Sequence, residues 1–230
     1  MRVHAILRSF GTPRVLSLME ALGATGAVDS YTVASDAKRD SVNTPGLIKT
    51  LALPAPVRAL PLEDYGWSKA LNAGIRALPP RRDDDELALI VSTEVHVRPE
   101  ELRLLLKAAS TPGASCGYAL FAGRAEPTYR LPRNTYIAWR RSVFRETGLF
   151  DESLDGDTGM EDYEMVLRSY ASTRLLPFAG PRHVRLGPPP GTSLSDKLAW
   201  ESRGVELIEA RHPAWVVSEV RRHIGEQNGD

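Results

Sequence analysis

The first 110 residues alternate short apolar runs with segments whose apolar residues recur at helical spacing, and this alternation constrains the fold more than anything else in the chain. Runs at 3–7, 28–34, 57–60 and 87–91 have the length and the bounding turn residues of buried strands. Val15, Leu16, Leu18, Met19 and Leu22 share one helix face that starts behind Pro13 and is ended by Gly23 and Gly26. Further helices are expected over 45–51, over 68–78 with Ala70, Leu71, Ile75 and Leu78 turned inward, and over 100–109. Strands alternating with helices predict an α/β protein with a mostly parallel central sheet and helices on both faces. Ligands in such sheets bind beyond the carboxyl ends of the strands. That rule singles out the loops at 9–12, 35–40, 64–69 and 92–96.

Past residue 110 the pattern changes. Runs at 116–121 and 136–139 read as strands with no crossover helix between them. Tyr163, Val166, Leu167 and Tyr170 recur at helical spacing after Glu161-Asp162. Short strands are expected at 175–178 and 183–186, a Gly/Pro loop at 187–191, and helices over 195–211 and 213–224. The expected organisation is one domain over 1–230, with a nucleotide-type half at about 1–110 and an irregular substrate half with C-terminal helices at about 111–230.

Charge and motif content exclude several functions. Lys+Arg and Asp+Glu both total 29, which argues against a duplex nucleic acid or an anionic membrane held by bulk charge, though not against a local basic pocket. The single cysteine, Cys116, allows no intramolecular disulfide; it fits a reducing compartment and reads as buried filler. No apolar run approaches the ~20 residues that span a bilayer, and the first apolar run is too short for a signal peptide, so the expected location is the cytoplasm. The dinucleotide-binding Gly-x-Gly-x-x-Gly, the P-loop, the nucleophile elbow and the His-Glu-x-x-His zinc motif are all missing. Asp83-Asp84-Asp85-Glu86 precedes a strand and reads as a solvated loop rather than a metal site.

Four segments, in order, resemble family 2 glycosyltransferases of the GT-A fold. They are Ser9-Phe10-Gly11-Thr12-Pro13 after the first strand; Gly66-Trp67-Ser68-Lys69-Ala70-Leu71-Asn72-Ala73-Gly74-Ile75, similar to the family's Gly-x-x-x-Ala-x-Asn-x-Gly-Ile helix; the strand leading into Ser92-Thr93-Glu94, where the family has Asp-x-Asp; and Gly148-Leu149-Phe150-Asp151-Glu152 with Gly159-Met160-Glu161-Asp162 and Arg168, similar to the family's Gly-x-Phe-Asp-Glu and Gly-x-Glu-Asp pair. The match covers roughly residues 3–212. The altered Asp-x-Asp is the main departure: its first acid is lost and its second is Glu.

The resemblance implies an inverting transfer from a nucleoside-diphosphate sugar, UDP- or GDP-linked, to a hydroxyl on a sugar, a lipid-linked or a small-molecule acceptor. It assigns the general base to Asp162 and acceptor orientation to Glu161. An acidic first turn favoured by the helix dipole is the structural alternative for both. Nucleotide contacts are expected from Ser9, Phe10, Asp36, Lys69, Asn72, Ser92 and Thr93; a turn role competes for Asp36, and a helix-to-sheet role more often falls to Asn72. A Mg²⁺ or Mn²⁺ ion would take Glu94 and His183 as ligands. The competing readings are a solvated Glu94, a surface His183 and a metal-independent site in which Lys69 or arginines steady the phosphates. Trp139 is a stacking candidate for an acceptor sugar, with a core tryptophan as the competing reading. An i,i+4 pair with Glu164 explains Arg168. Loop 187–193 is a lid candidate. The apolar face of the last helix docks on the body, with a homodimer or a membrane surface as the other uses. Two rivals remain: a nucleotidyltransferase, which would need a Gly-rich basic first loop, and a catalytically degenerate sugar-nucleotide-binding or partner-binding domain.

Overall fold

The computed structural model describes residues 1–9, 13–40, 43–80, 86–120, 131–155, 160–181 and 194–228, with the backbone alone for 194–201 and 228. Seven strands form one sheet: β1 (Arg2–Ser9), β2 (Ser30–Asp36), β3 (Val57–Leu62), β4 (Glu86–Val91), β5 (Ala114–Tyr118), β6 (Tyr136–Arg140) and β7 (Leu176–Ala179), in the order β3-β2-β1-β4-β6-β5-β7. The sheet is mostly parallel. Only β6 runs against its neighbours, and it is inserted between β4 and β5. The strand order reverses at β1, so a crevice opens at the carboxyl ends of β1 and β4, where ligands of α/β sheets bind.

Helices cover both faces. Side chains of a strand alternate in direction, and β1 shows the consequence: Val3, Ala5 and Leu7 join one core with α1 (Arg14–Ala24) and α4 (Pro99–Ser110). Ile6 joins the other, with α3 (Trp67–Arg76), α5 (Arg141–Thr147), α6 (Glu161–Thr173) and α8 (Ala214–Asn228). The short α2 (Thr44–Ile48) and the long α7 (Leu194–Glu209) complete the set. None of the described helices is long and apolar enough to cross a membrane.

Several elements differ from the sequence reading. Helix α5 has no counterpart there, because its seven residues follow β6 without a break and are too few for a periodic signal. Glu86, read as part of a solvated loop, is the first residue of β4 and is 1% exposed. It is drawn inward by an ion pair with Arg141, whose Nη2 also donates to the Pro79 carbonyl at 3.0 Å. Residues 83–85, the strand expected at 183–186 and the lid candidate lie outside the described residues. The last helix follows the docking reading: Val216, Val220 and Ile224 are buried, and the His223 ring meets the Pro177 carbonyl at 2.7 Å. Its apolar face is covered by α6 and β7.

Helix α4 lies so close on β5 that a Cβ at Gly117 would collide with the Leu105 carbonyl and approach the Ala109 nitrogen to 2.5 Å. Those are backbone atoms of a packed helix and cannot step aside. Gly117→Ala is therefore expected to lose about 1–3 kcal/mol of stability in urea denaturation; an unchanged midpoint would show that the two elements separate easily.

Candidate active site

The amino ends of α3 and α6 converge on the carboxyl end of β1. Arg8 has the parity of Ile6 and points under these two helices, whereas Ser9 points the other way. Arg8 is 6% exposed. Its guanidinium lies 4.0 Å from the centre of the Trp67 ring, which is itself 47% exposed at the start of α3. Burial pushes the Arg8 pKa down, and Glu161, the Tyr65 hydroxyl, Asp162 and Asp155 push it back up. Arginine stays charged even so. Among the described residues its buried Nη1 meets no hydrogen-bond partner, and neither do the buried Asn134 Nδ2 and Ser68 Oγ.

Asp162 sits in the first turn of α6, 3% exposed. Its Oδ2 accepts the Asn134 N–H at 2.8 Å and its Oδ1 accepts the Tyr163 N–H at 2.8 Å. Burial pushes its pKa up to about 7, the neighbouring Glu161 adds to the rise, and Arg133 and the two N–H groups oppose it. Each carboxylate oxygen retains a lone pair after these bonds, so the group can still receive a proton. Asn134 also accepts the Trp139 indole N–H at 3.1 Å. Trp139 is 0% exposed, with Phe144 and Phe150 at ring distances of 6.0 Å. The stacking expectation for Trp139 is thus corrected: its faces are covered by core aromatics, and its reach into the site is indirect, through Asn134.

A second set of bonds ties the two halves together. Asn72 uses its whole amide on the segment after α5, donating to the Phe150 carbonyl at 2.9 Å and Glu152 Oε1 at 2.8 Å and accepting the Phe150 N–H at 3.0 Å. It holds helix to segment and has no amide group left for a nucleotide. Asp155 caps α3 by accepting the Ser68 N–H at 2.5 Å and the Lys69 N–H at 3.2 Å, and a Cβ at Gly66 would collide with its carboxylate. Arg168 does more than pair with Glu164: its guanidinium also donates to the Thr147 and Leu149 carbonyls, fixing the same segment to α6. Asp155→Ala should cost about 1 kcal/mol, the usual value of a lost cap, read from urea denaturation; a loss below a few tenths would mean that water replaces the cap.

The remaining expected contacts scatter around this centre. Ser9 is buried against α2, its Oγ 3.4 Å from Thr44 Oγ1. Asp36 accepts the Lys38 and Arg39 N–H groups at 3.1 and 3.3 Å, so its carboxylate shapes the turn after β2. Lys69 reaches outward to Asp64 at 2.7 Å. Ser92 and Thr93 are half-buried beyond β4, and Glu94 is exposed. Phe10 and His183 lie outside the described residues. Glu161, by contrast, is 6% exposed beside Asp162, in the centre where Arg8 lies. Sequence reasoning missed Arg8 and Asp155. An arginine at the carboxyl end of a buried parallel strand, where ligands of such sheets bind, was the available signal for Arg8.

No family model matches the sequence, and no curated protein matches it. Solved structures do. TarS 1-349 of S. aureus in complex with UDP-GlcNAc is matched with a TM-score of 0.64 at 13% identity, over 91% of this chain and 66% of that one. The fold is GT-A-like. TarS 1-349 in complex with UDP gives a TM-score of 0.57 at 15% identity over 74% of this chain and 55% of that one. TarS itself gives 0.63 at 14% identity, over 91% of this chain and 39% of that one. The chain thus spans between about two fifths and two thirds of the solved chains that it resembles.

Proposed function

We propose that this chain is a family 2-type inverting glycosyltransferase that moves a sugar from a nucleoside-diphosphate sugar to an acceptor hydroxyl. The observation that carries the proposal is Asp162: a buried carboxylate at the crevice of a glycosyltransferase fold, fixed by two N–H groups and with a pKa of about 7. Such a group takes up a proton readily near neutral pH. In the step, the acceptor oxygen bonds to the anomeric carbon, its proton passes to Asp162, and the bond from that carbon to the diphosphate breaks. Glu161, buried beside Asp162, orients the acceptor. UDP and UDP-GlcNAc in the TarS complexes support a nucleotide-sugar as the donor.

A second reading, a binding domain without catalysis, rests on the exposed Glu94 and the hydroxyls that stand before it. Thermal stabilisation by a panel of UDP- and GDP-sugars tests both, because a ligand of the native state raises stability by mass action. Stabilisation with turnover supports the enzyme, stabilisation without turnover supports the binding domain, and no stabilisation by any nucleotide removes both.

A further inference from the structure

The family resemblance implies a divalent cation that neutralises the leaving diphosphate. Among the described residues the donor set at the corresponding place is reduced to Glu94, and His183, the other expected ligand, lies outside them. Mg²⁺ at such sites takes one or two well-placed protein carboxylates and fills the rest of its shell with substrate phosphates and water. Here one carboxylate, Glu94, stands exposed in a turn closed by its own N–H on Ser92 Oγ at 3.5 Å. Among the described residues, no group of three His, Cys, Asp or Glu is placed to hold a metal.

The charge that such an ion would supply is present elsewhere in the crevice. We propose that Arg8 is the resident cation of this site and binds the donor's diphosphate directly, without a divalent ion; this rests on the nucleotide-sugar reading above. Four observations support it. The Arg8 guanidinium is buried, yet its Nη1 has no partner among the described residues, an arrangement that is costly unless a ligand oxygen completes it. Two more buried donors, Asn134 Nδ2 and Ser68 Oγ, are also unpartnered; Asn134 bonds Asp162, and Ser68 stands in the first turn of α3, beside Trp67. The carboxylates around Arg8 are engaged by other groups: Asp155 by two N–H groups of α3, and Asp162 by those of Asn134 and Tyr163. Finally, the Trp67 ring at 4.0 Å covers the guanidinium and restrains its plane, which favours a directed pair of bonds to a phosphate over a mobile charge. Glu161 remains as the acid that balances Arg8 when no donor is bound.

Calorimetric titration of the whole chain, stripped with EDTA, tests the proposal with uridine, UDP, guanosine and GDP as probes. The expected result is that the preferred diphosphate binds in EDTA within about threefold of its affinity in Mn²⁺. Arg8→Met should weaken that diphosphate about tenfold or more, the range of a charge-assisted hydrogen bond, and leave the nucleoside unchanged, with Arg8→Lys recovering part of the loss. Diphosphate binding that disappears in EDTA and returns with Mn²⁺ overturns the proposal while leaving the nucleotide-sugar reading intact. Equal weakening of nucleoside and diphosphate by Arg8→Met also overturns it, since that is the mark of a structural arginine. If the wild-type chain binds none of the four probes, both readings fall. The wild-type comparison holds even if the Met variant does not fold.

Discussion

Asp162→Asn is expected to lower turnover by about 10²–10⁴-fold, the usual contribution of a positioned general base, while donor affinity stays near that of the wild type. As the proposed base, the same carboxylate is expected to set the pH profile. The base acts only when ionised, so kcat/KM should rise with pH and level off above about 7. Stability should move the opposite way. Burial holds the Asp162 proton up to about pH 7 in the folded chain, whereas an unfolded aspartate releases it near 3.8. Between those values the folded state binds more protons at this group. Against the opposite slope from His4 and His212, whose pKa values burial lowers, the stability that Asp162 contributes is therefore lost as pH rises through that window. Asp162→Asn should flatten this slope, which amounts to a few kcal/mol in total. Activity that survives the substitution, or an Asn variant whose stability follows the same pH slope as the wild type between about pH 4 and 7, would remove Asp162 from the mechanism.

Arg168→Leu should produce the largest loss of stability. The guanidinium pairs with Glu164, which is 9% exposed, and donates to the Thr147 and Leu149 carbonyls. Leucine leaves that carboxylate buried without its partner and leaves two carbonyls short of a donor. Breaking a buried pair in this way costs about 3–5 kcal/mol. The lower end is expected, because 26% of the Arg168 side chain is exposed. Urea denaturation of Arg168→Leu, Glu164→Gln and the double variant measures the pair, and the double should be less damaging than the sum. A loss under 1 kcal/mol would mean that the segment at 147–152 is held mainly by Asn72.

Much of the architecture was legible because it rests on local pattern. Apolar runs and helical spacing marked β1 to β4 with their helices, and the change past residue 110 marked the place where β6 enters against its neighbours. The site was legible only in part. Glu161 and Asp162 could be singled out because a helix start binds its residues to a local signal, and the structure places both, buried, in the first turn of α6. Asn72 and Trp139 misled, since both carry groups that suit a ligand, and only tertiary contacts with Phe150, Glu152, Phe144 and Asn134 reveal that those groups are already engaged. Asp155 could not be read as a cap at all: the Ser68 N–H that it accepts lies 87 residues earlier.

The late entry of β6 also has a consequence for how the chain is made. β4 pairs with β1 on one side and waits for Tyr136–Arg140 on the other. At a synthesis rate of about 5–20 residues per second, some seconds pass between the emergence of the two strands. Throughout that interval Leu87 to Val91 present a bare, wholly apolar strand edge, the kind of template on which nascent chains join one another. Ribosomal pausing between the two strands would lengthen the exposure, and a message cut short there would yield fragments that aggregate rather than fragments that simply lack a site.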